Sequence, residues 1–177
     1  MQKTSLIFFL SILFLGTVVP RAQTANPFLS LPHDSVVIYD FEWNRYGDET
    51  SIINKNGRLI KYKKSANLDK KSDKKLSTVL GEMRSYGGNM AACFEPHLGI
   101  VYYKGGLPAA YITICIECNR LYSSVRIAAQ EQGRNETETG EVYYLGMGMS
   151  KSLRKHLDGL LKKHAFSHRP KDIKFGS

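Results

Sequence analysis

The sequence predicts an α+β fold: an antiparallel sheet of hairpins with two amphipathic helices packed on it. Three patterns predict it. Val36–Trp43, Leu98–Tyr103 and Ala109–Ile116 are β-branched and aromatic runs suited to strands. Turn residues sit where such runs must double back, Asn56-Gly57 in one place and Gly105-Gly106 in another. Two further stretches, Ser72–Ser85 and Ser150–His164, repeat apolar residues at helical spacing instead.

The chain has 177 residues, enough for one domain with a real core. Residues 1–22 have the pattern of a signal peptide. Lys3 supplies a positive start, Leu6–Val19 an apolar run, and Pro20-Arg21-Ala22-Gln23 a close with cleavage after Ala22. The apolar run is shorter than the about 20 residues a bilayer span needs. An uncleaved N-terminal anchor is the alternative, because Pro20 is a poor residue two before the cut. No cysteine follows the cut to take a lipid. The expectation is an exported chain, periplasmic or secreted, with no transmembrane span after cleavage and residues 23–177 as a single α+β domain.

The charge is basic, with 25 Lys and Arg against 16 Asp and Glu. Loss of Lys3 and Arg21 leaves 23 against 16, a net of +7. The excess gathers in Arg58–Lys75 and Lys151–Lys174. Such a surface favours anionic polymers or lipid head groups. Nucleic-acid binding asks for aromatics interleaved with the basic stripe, and Lys61-Tyr62-Lys63-Lys64 is a thin case of it.

Along the chain, Val36–Trp43 puts Val37, Tyr39, Phe41 and Trp43 on one face, with Asp40 and Glu42 on the other. Asn44–Glu49 is polar and turn-like. Thr50–Lys55 and Arg58–Lys63 flank Asn56-Gly57, the pair best suited to the two positive-φ positions of a type I′ turn, so a hairpin is expected there. Ser65–Lys71 is a charged linker. Ser72 or Asp73 caps a helix to about Ser85 with Leu76, Val79, Leu80 and Met83 as its stripe. Tyr86-Gly87-Gly88-Asn89 then supplies a left-handed C-terminal cap.

The central hairpin follows. Pro108 lacks a ladder N–H, which places Lys104–Pro108 in the connection and pairs Tyr103 with Ala109. Leu98, Ile100 and Tyr102 then share a face with Ala110, Ile112, Ile114 and Ile116. Val101, Tyr103, Tyr111, Thr113 and Cys115 take the other. Beyond it, Leu121–Ala129 reads as a strand and a short helix, Gln130–Gly140 as a surface loop and Val142–Leu145 as a short strand. Asn135-Glu136-Thr137 is a glycan acceptor only in a eukaryotic secretory pathway. Ser150 caps a last helix to about His164 with Leu153, Leu157, Leu160 and Leu161 in one stripe. His156, His164 and His168 read as surface or core-edge residues, since no acidic or cysteine partner accompanies them.

The chemistry gathers at one end of the hairpin. The register puts His97 opposite Cys115 and Phe94 opposite Cys118, with Cys93 at the same end. Residues directly opposed lie about 4.5–5.5 Å apart at Cα, so one ribbon can collect Cys93, His97, Cys115 and Cys118. In a strand Cys115 and Cys118 would lie about 10 Å apart, beyond the roughly 7 Å reach of a disulfide, unless the chain turns near Asn119. Three readings stay open. A Cys93–Cys118 disulfide closes a loop of about 26 residues, which contributes roughly 3.5 kcal/mol, and leaves Cys115 as a small buried hydrophobe. A zinc site of Cys93, His97, Cys115 and Cys118 has a donor set zinc accepts, at a spacing unlike standard fingers. Thiol–disulfide chemistry at Cys115 and Cys118 is the enzymatic alternative, although Glu117 between them works against a thiolate. Glu95 and His97 flank Pro96 as a lone acid–base pair. No nucleophile elbow, P-loop, HExxH or dinucleotide fingerprint is present.

The runs Tyr86-Gly87, Ala92-Cys93-Phe94-Glu95-Pro96-His97-Leu98-Gly99-Ile100-Val101-Tyr102-Tyr103, Tyr111-Ile112-Thr113-Ile114-Cys115-Ile116-Glu117-Cys118-Asn119 and Ser123-Ser124 resemble a family of uncharacterised bacterial exported proteins. That family shares a YG…CF-P-(R/H)-x-G-I-x-F-Y…I-x-I-C-x-x-C core. Gly148-Met149-Ser150 and the closing helix are similar to the family's ending, so the likeness covers residues 72–166. It implies a coherent domain and supplies no reaction. Some members carry a further cysteine in the closing helix where Leu160-Leu161 stands here, and if that cysteine is a ligand there the zinc reading is weakened. The sequence therefore leads to a non-enzymatic binding or structural domain with a Cys/His corner, and keeps a periplasmic thiol–disulfide enzyme as its alternative.

Overall fold

The computed structural model describes residues 25–43 and 50–170. The signal-peptide reading of residues 1–22 and the turn read at 44–49 lie outside them. The elements in order are α1 (Pro27–Ser30), β1 (Ser35–Phe41), β2 (Tyr62–Asn67), α2 (Lys70–Leu80), β3 (Tyr86–Gly88), β4 (Leu98–Lys104), β5 (Leu107–Cys115), β6 (Arg120–Ser123), β7 (Glu131–Glu136), β8 (Val142–Gly146), β9 (Gly148–Met149) and α3 (Lys151–Lys163). Five of these strands form an antiparallel sheet in the order β2-β1-β4-β5-β6, so the chain is α+β.

The central hairpin keeps the register expected from its faces, Leu98 opposite Ile114 through Tyr102 opposite Ala110. Its connection is tighter than expected. Lys104 pairs with Leu107 across Gly105-Gly106, both glycines at positive φ (57° and 80°), the requirement of a two-residue hairpin turn. The extra residue becomes a bulge that sets Tyr103 opposite Pro108, so Pro108 lies in the strand at one of the kinds of site a sheet allows it. Asp34 holds the turn from outside: its carboxylate accepts from the Gly105 N–H and from Lys104 Nζ, each at 2.7 Å. The Gly105 amide and the Lys104 ammonium keep that carboxyl below its ordinary range.

One sheet face carries Val36, Ile38, Ile100, Tyr102, Ile112, Ile114 and Ile116 into the main core, where they meet Leu76 and Leu80 of α2 and Leu153, Leu157 and Leu161 of α3. Tyr102 is fully buried. Phe28 of α1 stacks on its ring at 5.3 Å, and its hydroxyl lies 3.1 Å from Ser77 Oγ. Helix α1 was not among the expected elements, though Asn26-Pro27 is an N-cap followed by proline in the first turn. Asn26 Oδ1 accepts from the Phe28 N–H, and its Nδ2 donates to Ser77 O at 2.9 Å, which docks α1 on α2.

The second face is covered as well. Ile52 and Ile53, with Leu59 and Ile60, close over Tyr39, Phe41 and Val101. Their segment departs from the expected hairpin. Only Gly57 takes positive φ (72°); Asn56 does not. Asn54 organises the turn: its carbonyl accepts from the Gly57 N–H, and its Oδ1 accepts from the amides of Asn56 and Arg58 at 3.0 and 2.9 Å. The result is a type I turn with a left-handed glycine behind it, and the arms meet at a single bridge, Ile53 with Leu59. Tyr62–Asn67, half of it read as a linker, pairs instead with β1 at the sheet edge. An edge strand borders solvent, so its polar side chains hid it.

Helix α2 starts three residues earlier than the expected Ser72 cap would set it, and it is shorter. Asp69 is its N-cap, accepting from the Ser72 N–H at 2.8 Å, and the helix stops at Gly81. Met83, expected on the buried stripe, is exposed. Tyr86–Gly88 does not cap the helix; it pairs with β9. Gln130–Gly140 is no loop, since β7 pairs with β8 from Glu131–Gly146 to Glu136–Val142. Helix α3 has the expected Ser150 cap and buries Leu153, Leu157, Leu160 and Leu161. Among the described residues no helix is long and apolar enough to cross a membrane.

Gly99 is a point of close approach between the sheet and its second cover. A Cβ there would stand 2.5 Å from Ile52 Cγ1 and 2.7 Å from Ile52 Cβ. Gly99→Ala is expected to lower stability by about 2 kcal/mol in urea unfolding. Combined with Ile52→Ala, which opens the space, the loss should be less than additive; strict additivity would mean that the two do not meet.

Candidate functional site

The three cysteines meet where the central sheet turns into β6. Cys115, the last residue of β5, pairs with Arg120, the first of β6, so Ile116-Glu117-Cys118-Asn119 must reverse the chain. Asn119 makes that possible with φ of 54°, a left-handed conformation that asparagine tolerates better than most residues. Its N–H donates to Ile116 O at 3.3 Å, and the Cys118 N–H donates to Cys115 Sγ at 3.2 Å. The strand spacing that would separate Cys115 from Cys118 is thereby cancelled.

The same turn collects Cys93. Ala91 donates its N–H to Cys118 O at 3.0 Å, and Arg120 donates to Ala92 O at 3.2 Å, so the segment before β4 runs along the turn. Asn119 ties this corner to the rest of the fold. It is buried, and its Nδ2 donates to Asn89 O and Met149 O, both at 2.8 Å. Its carbonyl accepts from the Met149 N–H at 3.3 Å.

The Sγ atoms of Cys93, Cys115 and Cys118 all lie within 4.8 Å of one another. Cys93 and Cys118 are at disulfide distance, with Cα atoms 5.7 Å apart. Cys93 is exposed, whereas Cys115 and Cys118 are buried. Burial pushes the Cys115 thiol above its ordinary range, against the pull of the amides of Glu95, Cys118 and Glu117; the Glu117 carboxylate adds to the upward shift.

His97 stands apart from the three sulfurs. Its backbone continues both ladders, accepting from the Phe41 N–H at 3.0 Å and donating to Ile114 O at 3.2 Å. Its ring turns to the β1 side, with Nδ1 3.2 Å from Phe41 O and the centroid 4.8 Å from that of His168. His168 also has an acidic partner, contrary to expectation: its Nε2 contacts the Glu117 carboxylate. The 50 residues between 117 and 168 concealed that contact.

A second feature lies between the helices. Lys75 and Ser72 of α2 face Lys155, His156, Ser152 and Lys163 of α3 across a groove of about 440 Å³. Lys163 is anchored there, 2.6 Å from Asp69 and 3.0 Å from Ser72 Oγ. Burial, with Lys75 beside it, lowers the affinity of His156 for a proton. Both basic runs were visible in the sequence, but only helix packing sets them across one groove.

Asn119 carries two separable functions, a left-handed backbone and two buried hydrogen bonds. Asn119→Ala loses both and is expected to cost about 3 kcal/mol in urea unfolding, whereas Asn119→Gly keeps the backbone and should cost about 1 kcal/mol less. Equal losses would remove the conformational part of the account. In comparisons with known proteins, no family model, curated protein or solved structure matches this chain.

Proposed function

We propose that this is an exported, non-enzymatic binding domain whose Cys93–Cys118 bridge locks the sheet's open end. The observation that carries the reading is the placement of the sulfurs: Cys93 and Cys118 stand at bridging distance while Cys115 is sealed in the core. Support for export comes from the leader pattern of residues 1–22 and from a pair that an oxidising compartment would join. A thiol–disulfide enzyme needs an accessible cysteine of lowered pKa. Cys115 is inaccessible and its thiol is shifted the other way, so the enzymatic alternative has little to work with.

The binding surface in this reading is the groove between α2 and α3. Lys75 and Lys155 give it positive charge beside the Asp69-paired Lys163, and Ser72 and Ser152 give it hydroxyl groups. Its complement is a chain of anionic groups, such as a sulfated or phosphorylated polymer.

Two measurements test the proposal. Protein recovered from an oxidising compartment should show one titratable thiol per chain in denaturant; three would remove the bridge. Cys93→Ser should then lower stability by about 3 kcal/mol, the loop-closure contribution. On immobilised heparin, Lys75→Glu with Lys155→Glu should elute at clearly lower salt, each lysine accounting for about 1 kcal/mol. Lys55→Glu, at the tip of the turn over the other sheet face, should elute near the parent. Unchanged elution of the double variant would sink the groove, and retention on anionic vesicles but not heparin would reassign its ligand to lipid.

A further inference from the structure

The bridge engages two of the three sulfurs, yet all three are gathered and one is dressed by the backbone in a manner the bridge does not use. The Cys118 N–H donates to Cys115 Sγ at 3.2 Å, and the Cys115 thiol in turn donates to the Glu117 carboxylate at 3.8 Å. The amide can stay on the sulfur when a coordinating ion has removed the thiol proton. The three sulfurs come from two segments, one before β4 and one spanning the end of β5 and the turn before β6, so their meeting is a product of the tertiary fold.

The exposure of the three residues is graded. Cys115 and Cys118 are buried and Cys93 is exposed, so the group reaches solvent through Cys93. His97 is held away from the group by Phe41 O and His168. The donor set is therefore three sulfurs, without the imidazole. Soft thiolates select zinc and copper(I) among biological ions, and zinc takes three protein ligands with a fourth position left to water.

We propose that in the reduced chain Cys93, Cys115 and Cys118 form a three-sulfur seat for one thiophilic metal ion, with Cys115 as its buried inner ligand. This rests on the reading of the cysteine corner given above and not on the anionic groove. Bridge and seat exclude each other. When a low-molecular-weight disulfide such as oxidised glutathione meets the loaded seat, the Cys93 and Cys118 thiolates give up two electrons and form their S–S bond. The oxidant's S–S bond breaks to two thiolates, and the ion leaves because one sulfur cannot hold it. The corner is then an oxidant-triggered release device: loaded while reduced, bridged and empty once oxidised.

The test uses the full chain reduced anaerobically with a phosphine and titrated with Co²⁺. The expected result is a thiolate-to-cobalt charge-transfer band that saturates at one ion per chain, with the intensity of three sulfurs, and is displaced by Zn²⁺. Cys93→Ser, a change at the exposed ligand, should reduce the band to two sulfurs and weaken binding at least about tenfold. His97→Ala should leave both unchanged, and oxidised glutathione should release the ion as two thiols disappear. Cys115→Ser should abolish the inner ligand; should that core change unfold the chain, the band intensities of the parent and Cys93→Ser still count the sulfurs. No charge-transfer band in the reduced parent, an intensity of two sulfurs, or loss of binding in His97→Ala would overturn the proposal. The thiol count of the oxidised protein is a separate result, so the bridge and the seat can fail independently.

Discussion

The chain reversal between β5 and β6 is the constraint on which the site depends. A strand carries successive residues away from one another, and three residues of continued extension would have put Cys118 out of reach of Cys115. Asn119 stops that extension by adopting φ of 54° while its side chain is hydrogen-bonded to Asn89 O and Met149 O. One residue thus sets the turn and fastens it to the segment that carries Cys93 and to the strand before α3. The neighbours leave little room for anything else: a Cβ on Gly88 would lie 2.2 Å from Met149 O, and one on Gly148 would lie 2.7 Å from Gly88 O. The close approach of β3 and β9 and the conformation of Asn119 require one another.

Behind that corner the sheet is buried on both faces, which is what gives the turn a rigid base. The helices cover one side through Leu76, Leu80, Leu153, Leu157 and Leu161. The 52–60 segment covers the other with little regular hydrogen bonding of its own. It is fastened by side chains, with the Ile52 N–H donating to Thr113 Oγ1 at 3.2 Å and Ser51 Oγ 3.2 Å from the same atom. Thr113 is thereby a buried polar residue with its hydrogen bonds accounted for, on the face where Cys115 follows two residues later.

Long-range polar contacts tie together the outer ends of elements that share the main core. Asp69 caps α2 and also receives Lys163 from the end of α3, which holds its carboxyl well below the usual carboxylate range. Lys64 of β2 donates to Ala165 O at 2.7 Å and sits over the Phe166 ring. Individually such exposed contacts contribute little. Their consequence is positional: they fix α3 against α2 and so set the width of the cationic groove.

The sequence alone specified the α+β class, the register of the central hairpin and the stripe of α3, because these follow from local periodicity, from β-propensity and from a cap three residues ahead of the N–H it accepts from. It brought the three cysteines to one end of the ribbon for the same reason. It did not reveal β2 or β7, whose residues are polar because one side of each strand borders water, and it misplaced the start of α2 because Ser72, Asp73 and Asp69 are all competent caps. Nor did it reveal where His97 would point. Backbone register put that residue opposite Cys115, but the imidazole's direction was decided by Phe41 and His168, which come from two distant parts of the chain. Periodicity fixes which face of a strand a residue takes; the partner its side chain finds there is set by whatever the rest of the fold packs beside it.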